Sequence, residues 1–299
     1  MFSGLCGFPI TPVRAQEIDH PTLGLLVSRI VSSGASSLGI LGSTGGYAYL
    51  SRQERTEIIR TAAEFAVGTP ILAGIGALTT DEVLRLADDA QGAGPAGVLL
   101  APLGYHKLTP DEVFGLYQDV TGELSVPLCV YDNPATTGFS FSDDLYARIA
   151  ELPRVAAIKI PPVPLDRDTA RHRINQLREG LPEQLALGIS GDASASVALS
   201  VGCQSWFSVV GGLLPKTAMN ILTAAQNGDF QSSRALSKQL DPLWDLFRRY
   251  GSFRVISAAA EVMGLVGDSF MPRPLLGLDS AARQEVAQAL LPFSSFDSV

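Results

Sequence analysis

The stretch Val126–Ile160 reads VPLCVYDNPATTGFSFSDDLYARIAELPRVAAIKI. A short apolar run, VPLCVYD, opens it and another, RVAAIKI, closes it. Between them SDDLYARIAEL carries apolar residues at helical spacing. Neither end run alternates apolar with polar residues, as a strand wetted on one face would. Both are apolar on two faces, which is what a parallel strand covered by helices requires. The stretch is therefore read as strand, helix, strand.

The same unit recurs in both directions. Toward the N-terminus lie GLCGFPI, a helical segment from His20 to Ser33, SSLGIL, and SRQERTEIIRTAAEFAVG with Ser51 as its N-cap. PILAGI follows, then a helix after LTTDE, then AGVLLAP and a helix from TPDEVFGLYQDV. Toward the C-terminus come a charged helix through DTARHRINQLREG, then LALGIS, DASASVALSVG, SWFSVV and PKTAMNILTAAQNG. Eight strand candidates, each followed by a helix candidate, are complete by about Gly228. This size and count predict a (β/α)8 TIM barrel over residues 1–228. An open doubly wound sheet is the alternative, and periodicity does not separate the two. Residues 229–299 hold three amphipathic segments, FQSSRALSKQLDPLWDLFRRY, FRVISAAAEVMGLV and SAARQEVAQALL, and predict a C-terminal three-helix extension.

Composition narrows the function classes. The 299 residues carry a net charge of -8 and no Lys/Arg run, which argues against a nucleic-acid partner. Cys6, Cys129 and Cys203 lie far apart in apolar runs and read as buried free thiols of a reducing compartment. With His20, His106 and His172 they make no metal-ligand spacing, so no metal is expected. No signal-peptide pattern opens the chain, and the apolar runs are too short to span a bilayer. A cytoplasmic protein is the expectation.

Lys159 stands out. It sits inside the apolar run RVAAIKI in a chain with four lysines and eighteen arginines. In a barrel, catalytic groups sit at the C-terminal ends of strands and in the loops that follow. Those positions hold Ser43 and Thr44 in GSTGG after the second strand, Tyr131 at the end of the fifth, Lys159 at the end of the sixth, and SGD with Gly191 after the seventh. Each has an ordinary reading. The glycine-rich segment makes a flexible turn, the tyrosine belongs to the core, and the lysine extends its head to water. Together they read differently. Desolvation favours the neutral amine of a lysine, the form that attacks a carbonyl to make a Schiff base. A tyrosine can move the protons, and hydroxyls with backbone N–H groups can hold a keto acid's carboxylate.

The segments GFPITP, GSTGGYAYLSRQER, YDNPATTG, VAAIK, SGD, GCQSWFSVVGGLLP and PRPLLGLD, in this order, resemble the dihydrodipicolinate synthase / N-acetylneuraminate lyase family of Schiff-base aldolases and lyases. The resemblance runs through nearly the whole chain. It implies Lys159 as the Schiff-base lysine for pyruvate or a related 2-keto acid, and Tyr131 as the proton relay. It implies Ser43 and Thr44 as carboxylate ligands, with Thr44 also in the relay. Gly191 would offer its carbonyl near the substrate, and Phe207 would line the pocket where the family often has an aliphatic residue. Neither a metal nor an organic cofactor is implied. A homotetramer is, with Tyr105 matching a tyrosine that many members send into a neighbouring subunit's relay, although here only across a one-residue insertion.

Two departures bear on substrate. Lysine-pathway synthases have an arginine two residues before the glycine of the TTG segment, to bind the carboxylate of aspartate semialdehyde, and here that position is Thr136. The family's glutamate after GSTG is Gly46. The reading is carbon–carbon bond cleavage or formation, or a related dehydration, on a pyruvate-type keto acid with an aldehyde partner other than aspartate semialdehyde. Hydroxyls of Thr136, Thr137 and Ser208 are expected to face that partner. The lysine-pathway condensation is the alternative. Two further readings stay open: a non-catalytic keto-acid-binding barrel, and a phosphate-binding barrel using VVGGLLPK and Lys216.

Overall fold

The computed structural model describes residues 1–14, 17–267, 271–293 and 297. Eight parallel strands close into a barrel: β1 (Gly4–Gly7), β2 (Ser37–Ile40), β3 (Ile71–Gly74), β4 (Gly97–Leu100), β5 (Leu128–Tyr131), β6 (Val155–Ile160), β7 (Ala186–Ile189) and β8 (Ser205–Ser208). Each strand pairs with the next in sequence, and β8 closes on β1 with Cys6 opposite Phe207. The open-sheet alternative is thereby excluded. A two-residue ribbon, Val13–Arg14 with Glu17–Ile18, lies outside the barrel.

Period-two alternation along the strands splits the core in two. Leu38, Ile40, Val130, Ile158 and Trp206 point outward into the layer beneath the helices. Cys6, Leu72, Leu99, Cys129, Ala157 and Phe207 fill the barrel interior. The helices start where their caps dictate. Ser51 and Glu54 form a capping box for α2 (Arg52–Phe65), after α1 (His20–Ser32) with its Asp19 cap. Thr79 caps α3 (Thr80–Ala93), and a Thr109–Glu112 box starts α4 (Pro110–Glu123). Then follow α5 (Asp143–Ala150), α6 (Arg167–Glu179), the short α7 (Ala195–Ser200) and α8 (Pro215–Gln226).

The extension differs from expectation in one respect. Its first segment is two helices, α9 (Phe230–Lys238) and α10 (Asp241–Tyr250), followed by α11 (Ser252–Val262) and α12 (Ser280–Leu290). Pro242 explains the break. It has no N–H to give to the preceding turn and its ring clashes with that turn's carbonyl, but it is at home at the start of a helix. Helix α9 packs on α7 and α8, and α11 packs on the Ser43–Gly45 turn. The extension thus supports the mouth of the barrel. Among the described residues no helix is long and apolar enough to cross a membrane.

Candidate active site

Alternation along β6 sends Ala157 and Lys159 into the barrel and Ile158 and Ile160 out of it. Lys159 is 3% exposed. Its Nζ lies 3.9 Å from the ring centre of Tyr131, 4.1 Å from that of Phe8 and 5.7 Å from that of Phe207. Tyr131 stands directly beside Lys159 on the neighbouring strand, because the β5–β6 register pairs the two residues. The amine is thus enclosed by aromatic faces, whose negative potential suits a cation while excluding bulk water.

The ring ends of this enclosure are polar on one side. The Tyr131 hydroxyl accepts a hydrogen bond from Asn133 Nδ2 at 2.8 Å and shares another with Ser43 Oγ at 3.3 Å. Ser43 and Thr44 lie on a single 3-10 turn, Ser43–Gly45, after β2. The backbone bends sharply to make it. Leu41 enters with φ 60° and Gly46 leaves with φ 66°, the left-handed region that a side chain normally avoids. Leu41 is buried, so the surrounding packing holds this strained entry in place. Thr44 is buried and Ser43 half-buried at the mouth.

The structure brings Lys159, Tyr131, Ser43, Thr44 and Phe207 together at the C-terminal end of the barrel. Other expectations change. The carbonyl of Gly191 accepts from the Ser194 N–H at 3.0 Å and from Ser194 Oγ at 3.1 Å, so its two lone pairs are engaged within its own turn. Ser208 is fully buried and faces away from the interior. It donates to Asp192 and accepts from the Gly211 N–H, so it cannot serve the second substrate. Thr137 Oγ1 is tied to the carbonyls of Asn133 and Phe139. Thr136 is exposed on the short helix Pro134–Thr137, its hydroxyl 3.3 Å from the Asn133 carbonyl. Tyr105 is 90% exposed, its ring against His106, and in the single chain it does not enter the site. The phosphate-binding reading fails at its donors. The Val210 N–H goes to Asp192 and the Gly211 N–H to Ser208, leaving no open nest in VVGGLLPK, while Lys216 is exposed.

Asp192, of the SGD segment, organises this end of the barrel. Its buried carboxylate accepts from Trp206 Nε1 at 2.7 Å, Ser208 Oγ at 2.8 Å and the Val210 N–H at 3.1 Å. Burial pushes its pKa up, and these donors oppose the shift. Bonds to a charged group contribute about 1.5–3 kcal/mol each. They pin Trp206 and Ser208, and so fix the Phe207 between them against Lys159.

Sequence reasoning passed over Asp192 and two residues that touch the site. Asn133 was hidden as a turn residue, although its amide orients the Tyr131 hydroxyl. Phe8 was hidden in an apolar run, although it follows the last residue of β1 and so occupies a catalytic position by the same rule that selected Lys159. The three cysteines are free and buried, and burial raises their thiols, Cys6 to about 11, which leaves them inert as nucleophiles. Among the described residues no three His, Cys, Asp or Glu side chains gather as metal ligands would.

Comparison with known proteins identifies relatives over nearly the whole chain. The model of the dihydrodipicolinate synthetase family matches residues 1–291. A 4-hydroxy-tetrahydrodipicolinate synthase of Methylococcus capsulatus is 30% identical over 94% of each chain. One of Aromatoleum aromaticum is 29% identical over 97% of this chain and 98% of that one. Among solved structures, a dihydrodipicolinate synthase of Agrobacterium tumefaciens superposes with a TM-score of 0.92 at 44% identity, covering 97% of both chains. The full-length match to the family model and the shared barrel place the chain in one family: it belongs to the dihydrodipicolinate synthetase family.

Proposed function

We propose that this chain is a Schiff-base lyase or aldolase acting on pyruvate or a pyruvate-derived 2-keto acid, with a second substrate that is an aldehyde lacking a carboxylate at its far end. The observation that carries the reading is the Lys159 amine enclosed by Phe8 and Tyr131, with the Tyr131 hydroxyl turned toward Ser43. In this reading Lys159 attacks the keto carbon and water leaves as the imine forms. Ser43 and Thr44 hold the carboxylate. Tyr131 moves protons to and from the carbinolamine and the enamine, with its hydroxyl aligned by Asn133. The non-catalytic alternative accounts for the lysine but not for a hydroxyl aligned by two partners.

The second substrate is read from Thr136. An arginine at this position would clasp a carboxylate in a bidentate pair, and a threonine hydroxyl cannot. The relatives' names point the other way, toward condensation with aspartate semialdehyde, and that reading stands as the alternative. With pyruvate saturating, kcat/KM for aspartate semialdehyde should lie at least about 10- to 100-fold below that of an arginine-bearing enzyme, and should also fall below that for the best of glyceraldehyde, a longer sugar aldehyde and an aromatic aldehyde. That range follows from about 1.5–3 kcal/mol for a hydrogen bond to a charged group. If aspartate semialdehyde is instead the best of the four, another cation does the arginine's work and the lysine-pathway reading holds.

Tyr105 bears on assembly. Its exposed ring, with Leu78 at 66% exposure and Tyr49 at 49%, sits on loops that follow β4, β3 and β2. This part of the proposal is a homotetramer in which such loops meet a neighbouring copy. Light scattering at micromolar concentration should give four times the 31.6 kDa chain mass. A monomer would remove any role for Tyr105 in a neighbour's site.

A further inference from the structure

Tyr47 is a buried tyrosine that the reading above leaves without a task. Gly46 bends the chain with its left-handed backbone, and a second 3-10 turn, Tyr47–Tyr49, follows. Tyr49 of this turn is exposed, whereas Tyr47 is 7% exposed. Arg55 of α2, itself buried, holds the Tyr47 ring. Its guanidinium carbon lies 5.2 Å from the ring centre, and its Nη1 donates to the Gly76 carbonyl at 2.9 Å. A Cβ on Gly76 would stand 3.2 Å from the Tyr47 hydroxyl, so that hydroxyl borders the space a side chain at position 76 would take. Among the described residues it makes no hydrogen bond, although a buried tyrosine hydroxyl usually finds a partner.

Strand register locates that space. Gly74 pairs with Leu99 across β3 and β4, so Gly76 is level with Ala101. Leu100 pairs with Val130 across β4 and β5, which sets Ala101 level with Tyr131, and Tyr131 pairs with Lys159. Gly76, Ala101, Tyr131 and Lys159 thus form one row across four neighbouring strand ends. Alternation turns the row inward, since Ala73 and Ile75 face the helices while Leu72, Leu99, Ala101 and Tyr131 belong to the interior. In that row only the methyl of Ala101 stands between Tyr131 and the place of the Tyr47 hydroxyl. Burial first, and then the charge of Tyr131, raise the Tyr47 pKa, while Arg55 opposes them. Tyr47 therefore rests as a phenol, beside a cation that favours the phenolate once a proton leaves.

We infer that Tyr47 is a second tyrosine of the proton relay, supplied by the same chain, and that it hands protons between Tyr131 and solvent. The inference rests on the Schiff-base reading above. The nitrogen lone pair of the carbinolamine expels its hydroxyl, which leaves as water with the proton of Tyr131. The Tyr131 phenolate then takes the C3 proton of the imine as the enamine forms. Exchange of that proton with solvent passes through Tyr47, with the released water available to bridge the two hydroxyls.

The test needs pyruvate alone. Exchange of its methyl protons in D2O is followed by NMR on the wild type, Tyr47→Phe and Tyr105→Phe, beside borohydride trapping of each. Tyr47→Phe keeps the ring against Arg55 and removes only the hydroxyl, so the melting temperature should hold. Its maximal exchange rate should fall by about tenfold or more, less than the full range for a group that acts directly. The pyruvate concentration giving half-maximal exchange should move by less than about threefold, and the adduct on Lys159 should persist, which a merely structural role would not produce. The fall should exceed that in Tyr105→Phe by about tenfold. Exchange within about threefold of the wild type in Tyr47→Phe, an equal or larger fall in Tyr105→Phe, or a loss confined to pyruvate binding overturns the assignment. A wild type that traps pyruvate but exchanges no methyl proton overturns it too. A wild type that forms no pyruvate adduct is a different failure, since it removes the Schiff-base reading itself and the relay with it.

Discussion

Lys159→Arg is expected to abolish borohydride trapping of pyruvate and every turnover that passes through the imine. A guanidinium stays protonated and has no lone pair to offer a carbonyl carbon. It nevertheless keeps a long side chain against the aromatic faces of Phe8 and Tyr131, so the barrel should remain folded. The loss is then chemical and not structural, which circular dichroism and the melting temperature check. In the wild type the reduced adduct should map to the peptide bearing Lys159. Lys107, Lys216 and Lys238 are exposed and serve as internal controls. An adduct on any of them, or trapping that survives in Lys159→Arg, removes Lys159 as the nucleophile.

Tyr131→Phe is expected to lower turnover by about 10²- to 10⁴-fold, the usual contribution of a positioned acid–base group. The phenyl ring still covers the Lys159 amine, so keto-acid binding should weaken far less than turnover falls. What is lost is the hydroxyl, along with its bonds to Asn133 and Ser43. Measuring the affinity for pyruvate apart from the rate of adduct formation separates the two effects, because the hydroxyl serves proton transfer and not the hold on the carboxylate. A drop of less than threefold would leave Tyr131 as a wall of the pocket and no more.

The residues that carried the reading were legible for different reasons. Lys159 and Tyr131 could be found because each ends an apolar run, and barrel topology puts strand ends at the mouth. The Ser43–Thr44 turn could be found because glycines flank it, and the structure supplies the cause in the left-handed backbone at Gly46. Thr136 could be noticed only against a family pattern. The bonds already made by the Gly191 carbonyl and the Ser208 hydroxyl were not foreseen, because neither group has a sequence mark showing whether it is already bonded. Ser194 and Asp192 had claimed them. Phe8 and Asn133 were missed because an aromatic in an apolar run and an amide in a turn look like core and loop. The break at Pro242 was visible in the letters, but the helical periodicity on both sides of it masked the stop.

By itself the sequence determined the eight strand–helix units, the caps that start most of the helices, and the presence of a lysine in a strand that should hold only apolar side chains. These are local properties, set by spacing of two or 3.6 residues and by side chains that bond their own backbone. The tertiary structure alone decided that β8 closes on β1 rather than leaving an open sheet, that Tyr131 stands in register with Lys159, and that Phe8 reaches the amine from the far side of the barrel. It also decided which hydroxyls remain free for a substrate. These depend on contacts between residues distant in sequence. Closure, register and the partners of buried polar groups follow from how the strands stagger and which donors meet which acceptors, and no local pattern encodes them.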